Sequence, residues 1–151
     1  YYTAMGAWSD AFDGIPIYLH ADDAEWVQNP HPSIKHWKGE TLVINPDLTL
    51  IHCGGHFEGG TVLHWGKDQG MLFTGDIMQV VPDLHYVSFM RSFPNLIPLN
   101  AKAVQKIAMS VEAYEFETIH GAFPGRTVAR DGKKAVKRSV SRYLKAIGAV
   151  D

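Results

Sequence analysis

The sequence predicts a layered α/β domain, and three features predict it. Short apolar or alternating runs recur through the middle of the chain between glycine- and proline-bearing separators. Two later segments carry apolar residues at helical spacings. No repeat, low-complexity stretch or linker divides the 151 residues, so a single domain over 1–151 with one core is expected.

Taken in order, Thr3 to Phe12 spaces Met5, Trp8 and Phe12 as one apolar helix face, which Gly14 ends. Ile15 to Leu19 reads as a short buried strand, with Pro16 near its start because proline has no amide hydrogen for a ladder. Ala21 to Val27 allows one or two helical turns capped by Asp22, and Gln28 to Gly39 reads as a loop. Strands are expected over Thr41–Ile44, Leu48–His52, Thr61–Trp65 and Met71–Thr74, with a hairpin turn at Gly66–Gly70. Val80 to Pro98 is rich in proline and aromatics and yields no assignment. Asn100 caps a helix to about Ala113, Phe116–Ile119 is a strand, and a last helix runs from Asp131 towards Ile147 with Val136, Val140, Leu144 and Ile147 inward.

Composition narrows the function classes. A net charge of -2 gives no global pull towards nucleic acid or an anionic membrane, so neither is expected as a partner. Eight basic residues do cluster between Arg126 and Lys145, and they read as a solvated helix face without the aromatic platform that single strands need. No apolar run approaches the roughly 20 residues that span a bilayer. Cys53 stands alone, which excludes an intramolecular disulfide and an all-cysteine metal site and fits a cytoplasmic location. The chain opens without methionine inside a helix-like segment, so an N-terminally truncated domain is expected.

Chemistry concentrates where polar residues follow strands beside glycine. His52-Cys53-Gly54-Gly55-His56-Phe57-Glu58-Gly59-Gly60 has too many glycines for a helix, so His56 sits in a loop and His52 in the strand before it. Leu72-Phe73-Thr74-Gly75-Asp76 ends a buried strand on a carboxylate, and Ile119-His120-Gly121 ends another on a histidine. Strand-end side chains collect at one sheet edge, and histidine with carboxylate suits zinc or iron. Each residue also has an ordinary reading: His56 as a polar loop residue, Asp76 as a cap or turn residue, His120 as a satisfied core histidine. His64 reads as structural, His20, His31, His36 and His85 as surface or loop residues, and the four tryptophans as core or loop packing.

In order and spacing, Gly55-His56-Phe57-Glu58-Gly59, Phe73-Thr74-Gly75-Asp76 and Ile119-His120-Gly121 resemble the metallo-β-lactamase superfamily. The resemblance implies a four-layer αββα sandwich, incomplete at the N-terminus. It implies metal ligands at His56, Asp76 and His120, with Asp76 also orienting a nucleophilic water. It implies a metal-dependent hydrolase that takes zinc, with iron as the alternative, and a small-molecule substrate such as an ester, thioester, lactam or phosphodiester. The sequence departs from the family in two places. Phe57-Glu58-Gly59-Gly60 stands where Thr-Pro-Gly-Ser usually follows the loop histidine, and Tyr1-Tyr2-Thr3 stands where the family's His-x-His-x-Asp-His motif should end. Two ligands per metal and weak binding are therefore expected. Enzymatic activity is expected only with the first motif restored, and a non-catalytic binding or scaffold module is the alternative. Exposed sheet edges would also favour a homo-oligomer.

Overall fold

The computed structural model describes residues 2–150. Twelve strands and three α-helices alternate among these residues. The main sheet has six strands in the order β12-β11-β6-β5-β4-β3: Thr127–Val128, Thr118–Gly121, Met71–Gly75, Thr61–Trp65, Leu48–His52 and Thr41–Asn45. All its neighbours are antiparallel except β11 and β6, which run parallel. A parallel pair needs a crossover, and helix α2 (Ala101–Glu112) supplies it before β11. Helix α3 (Gly132–Ala146) follows β12.

Strand alternation sorts the side chains into two faces. Ile51, Val62, Leu72, Ile119 and Val128 are buried in one core with Val104, Ile107 and Val111 of α2 and Ala135, Val136 and Leu144 of α3. The other face carries a row in direct cross-strand register, Leu42, Leu50, Leu63, Phe73 and His120. These side chains are half-buried, and Phe73 is exposed.

The four central strands and the two later helices form where the sequence predicts them. Elsewhere the structure corrects the reading. Helix α1 (Met5–Ala11) leaves Trp8 63% and Phe12 54% exposed, whereas Met5 of the same stripe is half-buried and only Ser9 is fully buried. Trp26 is exposed as well, while Trp37 is buried. Strand β1 is Ile17–His20, and β2 (Ile34–Trp37) lies inside the expected loop, paired in parallel with β1. A 3-10 helix (Ala21–Trp26) connects them, and its cap is the His20 ring, which accepts from Asp22 N, rather than Asp22. Ile147 ends α3 exposed. The unassigned stretch holds four two- or three-residue strands: β7 (Gln79–Val80), β8 (Val87–Ser88), β9 (Met90–Ser92) and β10 (Ile97–Pro98). Among the described residues no helix is long and apolar enough to cross a membrane.

Candidate metal centre

The glycine-rich segment after β4 folds back on itself. Cys53 N and Gly54 N both donate to Gly60 O, and Gly60 N donates to Phe57 O. Small residues are required here: a Cβ on Gly60 would lie 2.5 Å from Ile77 Cδ1 and 2.6 Å from Gly54 O. This tight loop lifts His56 between Phe57 and Phe93. Nδ1 of His56 lies 3.1 Å from Met90 O, and since a carbonyl only accepts, Nδ1 carries the proton and Nε2 keeps its lone pair. Arg91 donates to the carbonyls of Gly55 and His56 and braces the loop from outside.

At the end of β6 the chain turns sharply, with Ile77 N donating to Thr74 O and Gly75 at φ +50°. The turn presents Asp76. The buried Thr74 hydroxyl lies 2.7 Å from Met78 O and 3.2 Å from His120 O, which ties the ends of β6 and β11 together. His56 and Asp76 thereby line one cavity of about 360 Å³, with Tyr2, Leu19, Phe57 and Ile77 among its apolar walls.

His120 is placed differently. Its ring stacks on Phe73, Nδ1 lies 3.1 Å from Thr127 Oγ1, and it is not among the residues lining that cavity. The expected set thus splits into two residues on one cavity and a third on the adjoining strand. As donors for a metal, His56 and Asp76 fit: an imidazole whose other nitrogen is fixed by a carbonyl is the usual ligand arrangement. Catalytic zinc generally has three protein ligands, of which these two donors would supply two.

A second group was not foreseen. His20, expected at the surface, is 4% exposed, and His20, Asp22 and His52 bring one ligand atom each within 4.8 Å of one another. By composition this group could hold a metal ion. His20 ends β1, and Asp22-Asp23 follow it at the start of the 3-10 helix. The aspartate beside it, Asp23, is 1% exposed and accepts from Gly59 N at 2.7 Å and from Tyr2 Oη at 2.8 Å. Burial and that contact push the Tyr2 phenol well above its usual range. Cys53 is buried, and burial raises its thiol to about 12, so it is a core residue and not a ready ligand. His64 is structural as expected, its Nε2 bonded to Glu115 O.

A metallo-β-lactamase family protein from Thermus thermophilus superposes with a TM-score of 0.63 at 14% identity, over 99% of this chain and 58% of that one. An N-acyl homoserine lactone hydrolase, solved with its product at the catalytic metal centre, superposes with a TM-score of 0.50 at 22% identity, over 72% of this chain and 46% of its own. The fold is that of the metallo-β-lactamases. No family model matches the sequence. In sequence the chain is 46% identical over 152 residues to the uncharacterized protein YmaE of Bacillus subtilis (strain 168), covering 99% of this chain and 55% of YmaE. The chain therefore spans about half the length of the relatives it matches.

Proposed function

We propose that this chain carries the metal-holding edge of a metal-dependent hydrolase, with His56, Asp76 and His120 as the residues that hold the ion. One observation carries the reading. His56, on the loop after β4, and Asp76, just past the end of β6, line the same cavity, and Nδ1 of His56 lies on Met90 O, which leaves Nε2 for an ion. Zinc suits this donor set, and iron is the alternative. When bound, such an ion lowers the pKa of a coordinated water and polarises a carbonyl or phosphoryl oxygen.

The chain's own residues have separable tasks. His56 presents a fixed imidazole. The Asp76 carboxylate accepts a hydrogen bond from water and aims it. Leu19, Phe57 and Ile77 give the apolar body of a small substrate a surface to rest on. Esters, thioesters, lactams and phosphodiesters all present the electrophilic centre this arrangement would serve. The lactone opened by one fold relative belongs to the ester class.

A non-catalytic binding or scaffold role is the second reading, favoured by His120, which stacks on Phe73 and is not among the residues lining the cavity. Elemental analysis after dialysis, paired with a hydrolysis screen over those four substrate classes, separates the two. Zinc or iron retained by the native chain and lost in His56→Ala and Asp76→Ala, with turnover lost alongside, supports the hydrolase. Metal retained without turnover favours the binding role, and a folded chain that takes up no metal ends the first reading.

A further inference from the structure

The peptide group joining Glu58 to Gly59 is gripped at both ends by buried side chains. Its carbonyl lies 2.8 Å from His52 Nε2, and its N–H donates to Asp23 Oδ1 at 2.7 Å. The C=O and N–H of a peptide unit point in opposite directions, so the two side chains hold the loop from opposite sides. Both are nearly sealed from solvent, His52 at 6% and Asp23 at 1% exposure. Gly59 is the residue that lets Asp23 in, because a Cβ there would lie 2.7 Å from Asp23 Cγ.

Each half of this grip is itself held. His52 stacks on His20 with ring centroids 3.9 Å apart and planes 13° from parallel. His20 accepts at Nδ1 from Asp22 N, which puts its proton on Nε2, 3.2 Å from Gly39 O. Asp23 gives its second oxygen to Tyr2. One turn of chain, His20 to Asp23, therefore backs His52 on one side of the loop and takes Gly59 on the other.

The same hydrogen bonds decide how the His20, Asp22 and His52 group is used. The lone pairs of two face-stacked rings lie in nearly parallel planes, a poor arrangement for two ligands of one ion. His52 Nε2 already serves Glu58 O, and His20 has both ring nitrogens engaged. We propose that Asp23 and His52 are positioning residues: by clamping the 58–59 peptide group they fix the loop that presents His56. The proposal deepens the metal reading of His56 and rests on it for its functional meaning.

Amide hydrogen exchange and zinc titration on the whole chain test it. The variants are Asp23→Ala and His52→Leu, which remove a grip, and Asp23→Asn and His52→Gln, which restore an acceptor or a donor. Both removals should speed exchange across 54–60 by about tenfold, the scale of one lost hydrogen bond, while the central strands stay protected. Asn and Gln should recover most of the protection. Zinc affinity should fall about 10- to 100-fold in the removals and recover in the same pair. The Asn and Gln rescue distinguishes positioning from mere packing, and His52→Leu answers the question if Asp23→Ala does not fold. An unchanged loop, or a uniform rise in exchange without rescue, overturns the proposal. Zinc binding that survives His56→Ala but vanishes in Asp22→Asn also overturns it, because the cluster would then be the metal site. A native chain that takes no zinc sinks the hydrolase reading, and exchange still decides the clamp.

Discussion

His120 lies on Phe73, its partner across β11 and β6, with ring centroids 5.0 Å apart and planes 23° from parallel. Thr127 holds Nδ1 of the same ring. These contacts hold the third expected ligand beside Phe73, and it is not among the residues lining the cavity of His56 and Asp76. An aromatic stack of this kind is worth about 0.5–1.5 kcal/mol. Phe73→Ala should therefore free the ring and raise zinc affinity up to roughly tenfold. Since Phe73 is 39% exposed, its loss should change stability only modestly. Adding His120→Ala should cancel the gain. Isothermal titration of the single and double variants checks this, and unchanged affinity would mean the stack is not what holds His120 away.

The three proposed ligands should not count equally. His56→Ala and Asp76→Ala each remove a donor from the cavity itself, whereas His120→Ala removes one that starts outside it. Metal content after dialysis should fall most in the first two and least in the third. Equal losses would show that His120 swings in when an ion arrives.

Much of this arrangement was legible beforehand. Thr41 to Gly75 carries short apolar or alternating runs between clear turn signals, so four strands follow from pattern and punctuation alone. The tight turns that carry His56 and Asp76 were legible for a related reason, since glycine beside a strand-end polar residue marks a loop that must turn sharply. His20 and Asp23 were not. They are buried by contacts with Gly39, His52 and Gly59, residues far along the chain, and nothing local distinguishes them from a solvated His-Ala-Asp-Asp turn. Trp8 and Phe12 mislead in the opposite direction, because helical spacing reports a shared face but not what covers it. β2 is hidden because its residues, Ile34-Lys35-His36-Trp37, gain strand character from pairing with β1 and not from any pattern of their own.

Cys53 gives a prediction on alkaline stability. Its thiol is raised to about 12 by burial, against about 8.5 in an unfolded chain. The folded form keeps the proton where the unfolded form has lost it, so this contribution is whole below pH ~8.5 and drains as pH rises towards 12. Urea unfolding should lose about 1.4 kcal/mol per pH unit across that window from this group. Cys53→Ala should be less stable at neutral pH but show the shallower alkaline slope. Parallel slopes would contradict the burial argument.

Asn100 caps α2, its Oδ1 accepting from Ala103 N at 2.9 Å. α2 is the crossover that makes the β6–β11 pair possible, so its stability feeds into the sheet edge that carries both Asp76 and His120. Asn100→Ala should cost about 1 kcal/mol, and Asn100→Asp should cost much less because it keeps the acceptor. Thermal unfolding of the two variants would reveal a different role for Asn100 if they are equally destabilised.

Two glycines with positive φ separate backbone strain from steric collision. Gly39, at φ +99°, has open space where a Cβ would go, whereas Gly70, at φ +75°, would set a Cβ 2.0 Å from Glu115 O. Gly70 sits where β6 begins beside the segment entering β11, and its carbonyl accepts from Glu117 N. Alanine at position 39 should cost only the conformational term, about 1–2 kcal/mol. At position 70 the same term is joined by a backbone clash that no rotamer can relieve, so the β6–β11 register must shift. Gly70→Ala should therefore be the more destabilised by urea unfolding, with a total above about 3 kcal/mol. It should also loosen Asp76 and His120, which lie at the far ends of the same two strands, and weaken metal binding where Gly39→Ala leaves it intact. Equal costs at the two positions would mean that the approach of Glu115 to Gly70 is slack enough to yield, and that the strand pair does not depend on it.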